Sequence, residues 1–281
     1  MISAPEIWYR YPVSVPRPPS LEKTREFDTI PAMSEKHRVG VYGLGRFGLF
    51  WAARLAEKGF DVVGCSRRSV TLPPGVRQVG VEEVLSSPTV FYCVSISAFE
   101  EVLEASLPYL KEGTVVMDTC SVKLYPAGVM KRLLPPTVRA IATHPMFGPD
   151  SGKDGLEGLP FVIDNISADE ETWRWWVDEF TSWKMDVLMM SCDQHDREAA
   201  WSQGITHFIG RTLAELNLGS TRLATRGYRT LMGVVEQTCN DPLQLFYDLQ
   251  RYNPYTKQMR MGLRGALETT MEALKKQEDV R

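Results

Sequence analysis

No run of about 18 or more apolar residues occurs in this 281-residue sequence, so no segment is expected to span a bilayer. Cysteine is scarce. Cys65, Cys93, Cys120, Cys192 and Cys239 are scattered, odd in number and never spaced as C-x-x-C. That pattern argues against a disulfide framework and a zinc site, and the apolar runs around most of them, such as FYCVS, suit a reduced interior. A dominant charge is missing too: 32 Lys and Arg face 35 Asp and Glu, a net charge of −3, which leaves no basic field for nucleic acid or an anionic membrane. Residues 1–20 lack the charged start and continuous apolar stretch of a secretory signal. Glu6, Glu22, Glu26 and Asp28 come too early for a transit peptide. A cytoplasmic location is the expectation. Internal repeats and low-complexity blocks are absent.

What remains is an ordinary globular composition, 43% hydrophobic, with length for two packed domains. Residues 1–36 carry six prolines and no sustained period, and read as an irregular arm. From Arg38 to about residue 192, short apolar β-rich runs alternate with helical patterns. The strands are expected at 38–42, 61–65, 89–95, 114–119, 140–144, 161–165 and 186–191, and the helices at 47–57, 98–110 and 168–183. Strands separated by helices imply right-handed βαβ units and a mostly parallel sheet. From Asp193 onward only helix-length segments occur, broken near Gly219, Gly227, Asp241-Pro242 and Asn253-Pro254. The expected divisions are therefore 1–36, 37–192 and 193–281.

The first strand runs into Gly43-Leu44-Gly45-Arg46-Phe47-Gly48 and then a helix. In a dinucleotide fingerprint the first glycine permits the tight turn and the second lets backbone approach a pyrophosphate. The third allows close helix–strand packing, and the helix N-terminus supplies free N–H groups. Sheets that bind NAD usually offer a carboxylate at the end of the second strand. Here that strand ends in Ser66-Arg67-Arg68-Ser69, with no acid. Two guanidiniums and two hydroxyls suit a 2′-phosphate, so NADP is the expected cofactor; a solvated basic loop is the plainer reading.

Three further clusters combine reactive side chains with strand ends or helix faces. The first is Asp118-Thr119-Cys120-Ser121-Val122-Lys123, and the second Thr143-His144-Pro145-Met146-Phe147-Gly148-Pro149. Both leave apolar strands where doubly wound sheets bind ligands. The third is Gln203-Gly204-Ile205-Thr206-His207, in which Gln203 and His207 lie four apart on one helix face. Alternatives stand beside each: His144 as a satisfied strand-end residue, His207 as a core histidine, Ser121 as the cap of a helix opening near Leu124, Lys123 as plain surface.

Taken together, VYGLGRFG, DTCSVK, THPMFGPDSGK and HDREAAWSQGITHFIGRTL resemble the prephenate and arogenate dehydrogenases of tyrosine synthesis, from about residue 38 to about 260. The likeness is greatest to the plant-like arogenate dehydrogenase branch, which Tyr252-Asn253-Pro254 and Thr225-Arg226-Gly227-Tyr228 also resemble. The resemblance implies that His144 takes the proton of the substrate's ring hydroxyl as hydride leaves C4, with Ser121 holding histidine and hydroxyl in register. It implies that loss of CO2 then gives an aromatic ring, that His207 and Gln203 contact the substrate, and that Ser95 and Ile96 lie along the cofactor. It also implies a homodimer, through the helical C-terminal half. The fold class follows: α/β, a Rossmann-type doubly wound parallel sheet, then an all-helical dimerisation domain. A neutral imidazole near pH 7 is a suitable general base for this chemistry.

One departure bears on substrate binding. Where many bacterial members carry an arginine for a substrate carboxylate, this chain has Glu236, which leaves Arg226 with Thr225 as the candidate contacts. Asp241 is expected to select arogenate over prephenate, because a carboxylate attracts a side-chain ammonium and repels a keto acid. Alternatively it caps a helix opening at Pro242. Three other readings are weighed: a prephenate dehydrogenase, another member of the hydroxy-acid and imine reductase group, and an NADP sensor without turnover. The sensor would not need Ser121, His144 and His207 together.

Overall fold

The computed structural model describes residues 37–278, so the arm expected over 1–36 lies outside the described residues. Eight strands form one sheet: β1 (Arg38–Tyr42), β2 (Asp61–Cys65), β3 (Val76–Gln78), β4 (Thr89–Tyr92), β5 (Val115–Asp118), β6 (Arg139–Pro145), β7 (Pro160–Asn165) and β8 (Asp186–Met189). Their order is β3-β2-β1-β4-β5-β6-β7-β8. Neighbours from β3 to β6 are parallel, β7 runs antiparallel to β6, and β8 is parallel to β7. The order reverses between β1 and β4, and the carboxyl ends of those strands therefore open a crevice at the switch point.

Both faces of the sheet are covered, which explains the near-continuous apolar runs. Side chains alternate between the faces. Val39, Val41, Phe91, Met117 and Ile141 pack on one side with Trp51 and Leu55 of α1 (Arg46–Glu57), and with Trp176 and Phe180 of α5 (Glu170–Ser182). Val63, Val90, Tyr92, Val116 and Ala140 pack on the other, against α2 (Val81–Leu85), α3 (Ile96–Ser106) and α4 (Leu124–Leu133). Aromatic rings fill the first layer: Trp51 stacks on Phe161 with centroids 5.9 Å apart, as does Phe60 on Trp176.

The expected mostly parallel sheet is present, with β6 and β7 its antiparallel pair. Three finer expectations are revised. The pair β3 and α2 was not expected, because three and five residues are too short to carry a period. The strands expected over 89–95 and 114–119 stop earlier, at Tyr92 and Asp118, because the chain turns outward there to form the crevice. The helix expected from Ala98 begins instead at Ile96, with Ser95 as its N-cap residue.

Beyond β8 every element is helical: α6 (Cys192–Ala199), a π-helical segment Ala200–Gly204, α7 (Ile205–Ala214), α8 (Arg226–Asn240), α9 (Leu243–Tyr252) and α10 (Thr256–Glu278). Polar contacts join these helices to α3 and to one another. Asp248 of α9 accepts from the Ser97 backbone N–H at 3.1 Å and from its hydroxyl at 3.0 Å, at the start of α3. Asn253 donates to the Asp196 carbonyl at 2.7 Å. The walls of the crevice are thereby held together.

Candidate active site

The glycine turn has the geometry that its spacing predicts. Gly43 has φ +102°, and a Cβ there would lie 2.6 Å from the Cys93 carbonyl oxygen. A Cβ on Gly48 would meet the Gly43 carbonyl oxygen at 1.8 Å, so only glycine lets α1 sit this close to the strand. Gly45 is different: a Cβ there meets nothing within 4 Å and points into open space. No side chain caps α1 and no acid occupies its first turn. Its leading N–H groups therefore face the crevice with the positive end of the helix dipole, which fits a dinucleotide diphosphate.

The loop after β2 is braced from β3. Gln78 donates to the Arg68 carbonyl at 2.9 Å, and the Val70 N–H donates back to Gln78 Oε1 at 3.4 Å. The Arg68 N–H donates to Ser66 Oγ at 3.3 Å. Arg67 and Arg68 are exposed, and no carboxylate among the described residues pairs with either. A rigid loop presenting two unpaired guanidiniums and a hydroxyl fits a phosphate dianion.

Between this groove and the helical half lies a cleft of roughly 570 Å³, within the range of small-molecule sites. Its lining brings together Gly45, Arg46, Phe47, Ser95, Ile96, Ser121, His144, Gln203, His207 and Asp241. These came from six separate stretches of sequence. Gly43 and Gly48 shape the turn from behind.

His144, at the end of β6, is 2% exposed. Its Nδ1 lies 2.8 Å from Nε2 of His195, whose Nδ1 lies 2.8 Å from Asp196 Oδ1. Burial, then the neighbouring His195 and Lys123, hold the His144 imidazole well below the usual histidine range, so it is neutral near pH 7. Ser121 lines the same cleft but makes no hydrogen bond to His144 among the described residues. The partner that orients the ring is therefore His195. Sequence reasoning missed it and Asp196, although both stand in the string that carries the resemblance.

Two expectations about the SVK string are corrected. Lys123 is not surface: it is fully buried, ion-paired with Asp118 and donating to the Thr143 carbonyl. Asp118 also accepts from the N–H groups of Thr143 and Cys120, which ties β5 to β6 directly behind His144. Nor does Ser121 cap α4. The Lys123 and Leu124 N–H groups donate instead to the Asp196 carboxylate, at 2.7 and 2.9 Å. A carboxylate from another helix replaces the local cap.

The opposite wall is the π-helical turn and α7. A π-bulge adds a residue to the helix turn and is often found at functional sites. Here it carries Gln203, whose buried Oε1 has no partner among the described residues, while His207 of α7 leaves a buried Nδ1 unpaired among them. Buried polar atoms without partners are costly unless a ligand completes them. Burial lowers the His207 pKa against the opposing pull of Asp241, so this ring too favours its neutral form.

Asp241 sits between α8 and α9. It does not cap α9, which begins at Leu243 without any side-chain cap. Its Oδ1 accepts from Arg46 Nη1 at 3.2 Å, its Oδ2 lies 3.9 Å from His207 Nε2, and its carbonyl accepts from Arg211 at 2.6 Å. Arg46 also pairs with Asp150 at 2.6 Å. It is the one guanidinium or ammonium among the residues lining the cleft.

Thr225 and Arg226 do not join this cluster. Thr225 caps α8 by accepting from the Tyr228 N–H at 3.1 Å, and Arg226 opens that helix on the exposed surface. Their turn lies at the far end of α8 from Asp241, which is why their sequence likeness misled about position. Glu236 is exposed and off the cleft, whereas its neighbour Gln237 lines it.

Residues 68–165 match the family model "Prephenate dehydrogenase, nucleotide-binding domain", and residues 212–281 match "TYRAAT1-like, C-terminal domain". The chain is 37% identical over 232 residues to "Arogenate dehydrogenase 1, chloroplastic" of Arabidopsis thaliana, covering 77% of this chain but 36% of that protein. It is 31% identical over 302 residues to "Arogenate dehydrogenase 2, chloroplastic" of the same plant, covering 98% of this chain and 83% of that one. In fold it is similar to the crystal structure of prephenate dehydrogenase from A. aeolicus in complex with hydroxyphenyl propionate and NAD+. That likeness has a TM-score of 0.69 at 16% identity, over 88% of this chain and 93% of the other.

Proposed function

Because the chain belongs to the arogenate and prephenate dehydrogenase family of oxidoreductases, we propose that it catalyses the NADP-dependent oxidative decarboxylation of arogenate to tyrosine. One observation carries the choice of substrate: the Asp241 carboxylate lines the same cleft as the neutral, buried His144. Bound NADP supplies the hydride acceptor. His144 accepts the proton of the ring hydroxyl at the nitrogen that His195 leaves unused, Nε2. Ser121, without a hydrogen-bond partner among the described residues, hydrogen-bonds the same hydroxyl. Gln203 and His207 offer their unpaired buried atoms to the substrate from the helical wall. Asp241 meets the side-chain ammonium that distinguishes arogenate, with Arg46 beside it as a carboxylate partner.

The preference for NADP rests on the unpaired Arg67 and Arg68 at the end of β2 and on the lack of an acid there. The same proposal includes a homodimer and a cytoplasmic location. Support for the first is an apolar set left exposed on the helices, Leu231, Met261, Leu267, Met271 and Leu274. Support for the second is that the five cysteines are free thiols. The test is a steady-state comparison of arogenate with prephenate, and of NADP with NAD, following reduced cofactor. The proposal expects the higher kcat/KM for the arogenate and NADP pair. A preference for prephenate would replace it with the keto-acid reaction, and NADP binding without turnover of either acid would leave a sensor.

A further inference from the structure

We propose that His195 and Asp196 are positioning residues that set the tautomer of His144, leaving a lone pair on Nε2 for the cleft. The inference starts from the most constrained group in the chain of contacts. Asp196 is fully buried, and its two oxygens accept the Lys123 and Leu124 backbone N–H groups at 2.7 and 2.9 Å. Two N–H donors at the start of α4 demand an acceptor-only side chain, which is the ionised carboxylate. His195 Nδ1, 2.8 Å from Asp196 Oδ1, must therefore be the donor of that contact.

The proposal takes His195 as neutral, and a neutral imidazole has one donor and one acceptor. With Nδ1 of His195 committed as donor, its Nε2 is an acceptor, and it faces His144 Nδ1 at 2.8 Å. His144 must then carry its own hydrogen on Nδ1. The remaining nitrogen, Nε2, is unprotonated, which is the form that a proton acceptor needs. The opposite tautomer would set two lone pairs against each other at the His144–His195 contact inside a buried site. When Nε2 takes a proton, both His144 nitrogens carry hydrogen, and the Nδ1–H bond to His195 persists and strengthens. The proton stays on His144; His195 and Asp196 neither gain nor lose one.

The arrangement also explains why His195 and Asp196 of the polar helix start CDQHDREA are buried where α6 meets α4: the Asp196 carboxylate serves at once as the cap of α4 and as the anchor of the two rings. The catalytic meaning of the tautomer rests on the proposed reaction; the tautomer itself does not, and the experiment separates the two. The chain has four histidines, so the ring nitrogens of the 15N-histidine-labelled full chain are resolvable by long-range proton–nitrogen correlation, with His144→Asn to assign the signal. The expected result is a protonated Nδ1 and a bare Nε2 on His144, with or without NADP. His195→Leu removes the acceptor and is expected to shift His144 toward the Nε2–H form. It should also lower kcat roughly 100-fold or more at unchanged NADP affinity. His195→Gln, which keeps an acceptor oxygen near the ring's Nε2 position, should restore most of both.

A wild-type His144 protonated on Nε2 overturns the inference, as does a His195→Leu variant that keeps both the wild-type tautomer and the wild-type kcat. Should the leucine variant fail to fold, the wild-type ring signals and the glutamine variant decide alone. Absence of turnover with either cyclohexadienyl acid would count against the proposed reaction while the nitrogen signals still judged the tautomer.

Discussion

The Arg46 guanidinium, in the first turn of α1, reaches across the cleft to Asp241 Oδ1 at 3.2 Å, joining residues 195 apart in sequence. A cofactor-side cation and a substrate-side carboxylate thus share one contact. Exposed enough to exchange partners, the pair is worth little by itself, and its importance is that each member can be claimed by a ligand. In the proposed reaction the Asp241 carboxylate is the specificity element. Asp241→Asn is expected to lower arogenate kcat/KM roughly tenfold relative to prephenate, since a charge-assisted contact is worth about 1.5–3 kcal/mol. The ratio of the two kcat/KM values measures it, and an unchanged ratio removes Asp241 from substrate choice.

Cofactor discrimination should follow Arg67 and Arg68. The double change to alanine is expected to weaken NADP binding by roughly tenfold or more while leaving NAD nearly unaffected, because only the 2′-phosphate loses its partners. Titration of both cofactors by fluorescence decides this. Equal losses for the two would mean that the loop does not read the phosphate.

The pH dependence has a definite sign. Burial, His195 and Lys123 hold His144 well below the ordinary 6.5. As a base it must be neutral, so kcat/KM should stay level as pH falls to 6.5 and decline only below it. The same depression affects stability. An unfolded histidine takes up a proton near 6.5 and the folded one does not, so the unfolded state binds more protons below that pH. The contribution is complete above about 6.5 and is lost as pH falls toward the folded value, with His207 acting in the same sense. Urea midpoints that fall between pH 7 and pH 5 would agree. An activity limb centred at or above 6.5 would not.

Lys123 tests the scaffold beneath the site. Lys123→Met leaves Asp118 buried with its backbone donors but without its cation, a change expected to cost about 3–5 kcal/mol of stability. Equilibrium unfolding measures that loss. A shift below about 0.5 kcal/mol would show that the pair contributes nothing.

Much of this was legible in the chain because local chemistry and tertiary role agreed. Gly43 and Gly48 are read from spacing, since backbone sterics at a strand–turn–helix junction leave few alternatives, and Gly45 follows from the same spacing though a Cβ there meets nothing. His144 and Ser121 stand at strand ends, where the topology opens the crevice. The residues that escaped notice owe their roles to packing between distant segments. His195 and Asp196 sit in a run with every mark of a solvated helix start, and only the crossing of α6 over α4 buries them. Lys123 looks like surface because lysine usually is, and its burial depends on Asp118 waiting in the neighbouring strand. Gln78 belongs to a three-residue strand with no period to detect. Thr225 and Arg226 misled in the opposite direction: a familiar string at the start of α8, with the cleft at that helix's other end. The adjacent His195 and Asp196, separated by two residues from Ala199-Ala200-Trp201, were the available hint for the paired histidines.

In the proposed reaction His144 is the proton acceptor. The most direct test of this role is single-turnover oxidation of arogenate by wild type and His144→Asn at matched NADP saturation, with cofactor affinity measured on both proteins. The account predicts NADP affinity within about threefold of wild type and a loss of roughly 100- to 10,000-fold in the rate of cofactor reduction. A variant that reduces the cofactor at close to the wild-type rate would contradict it.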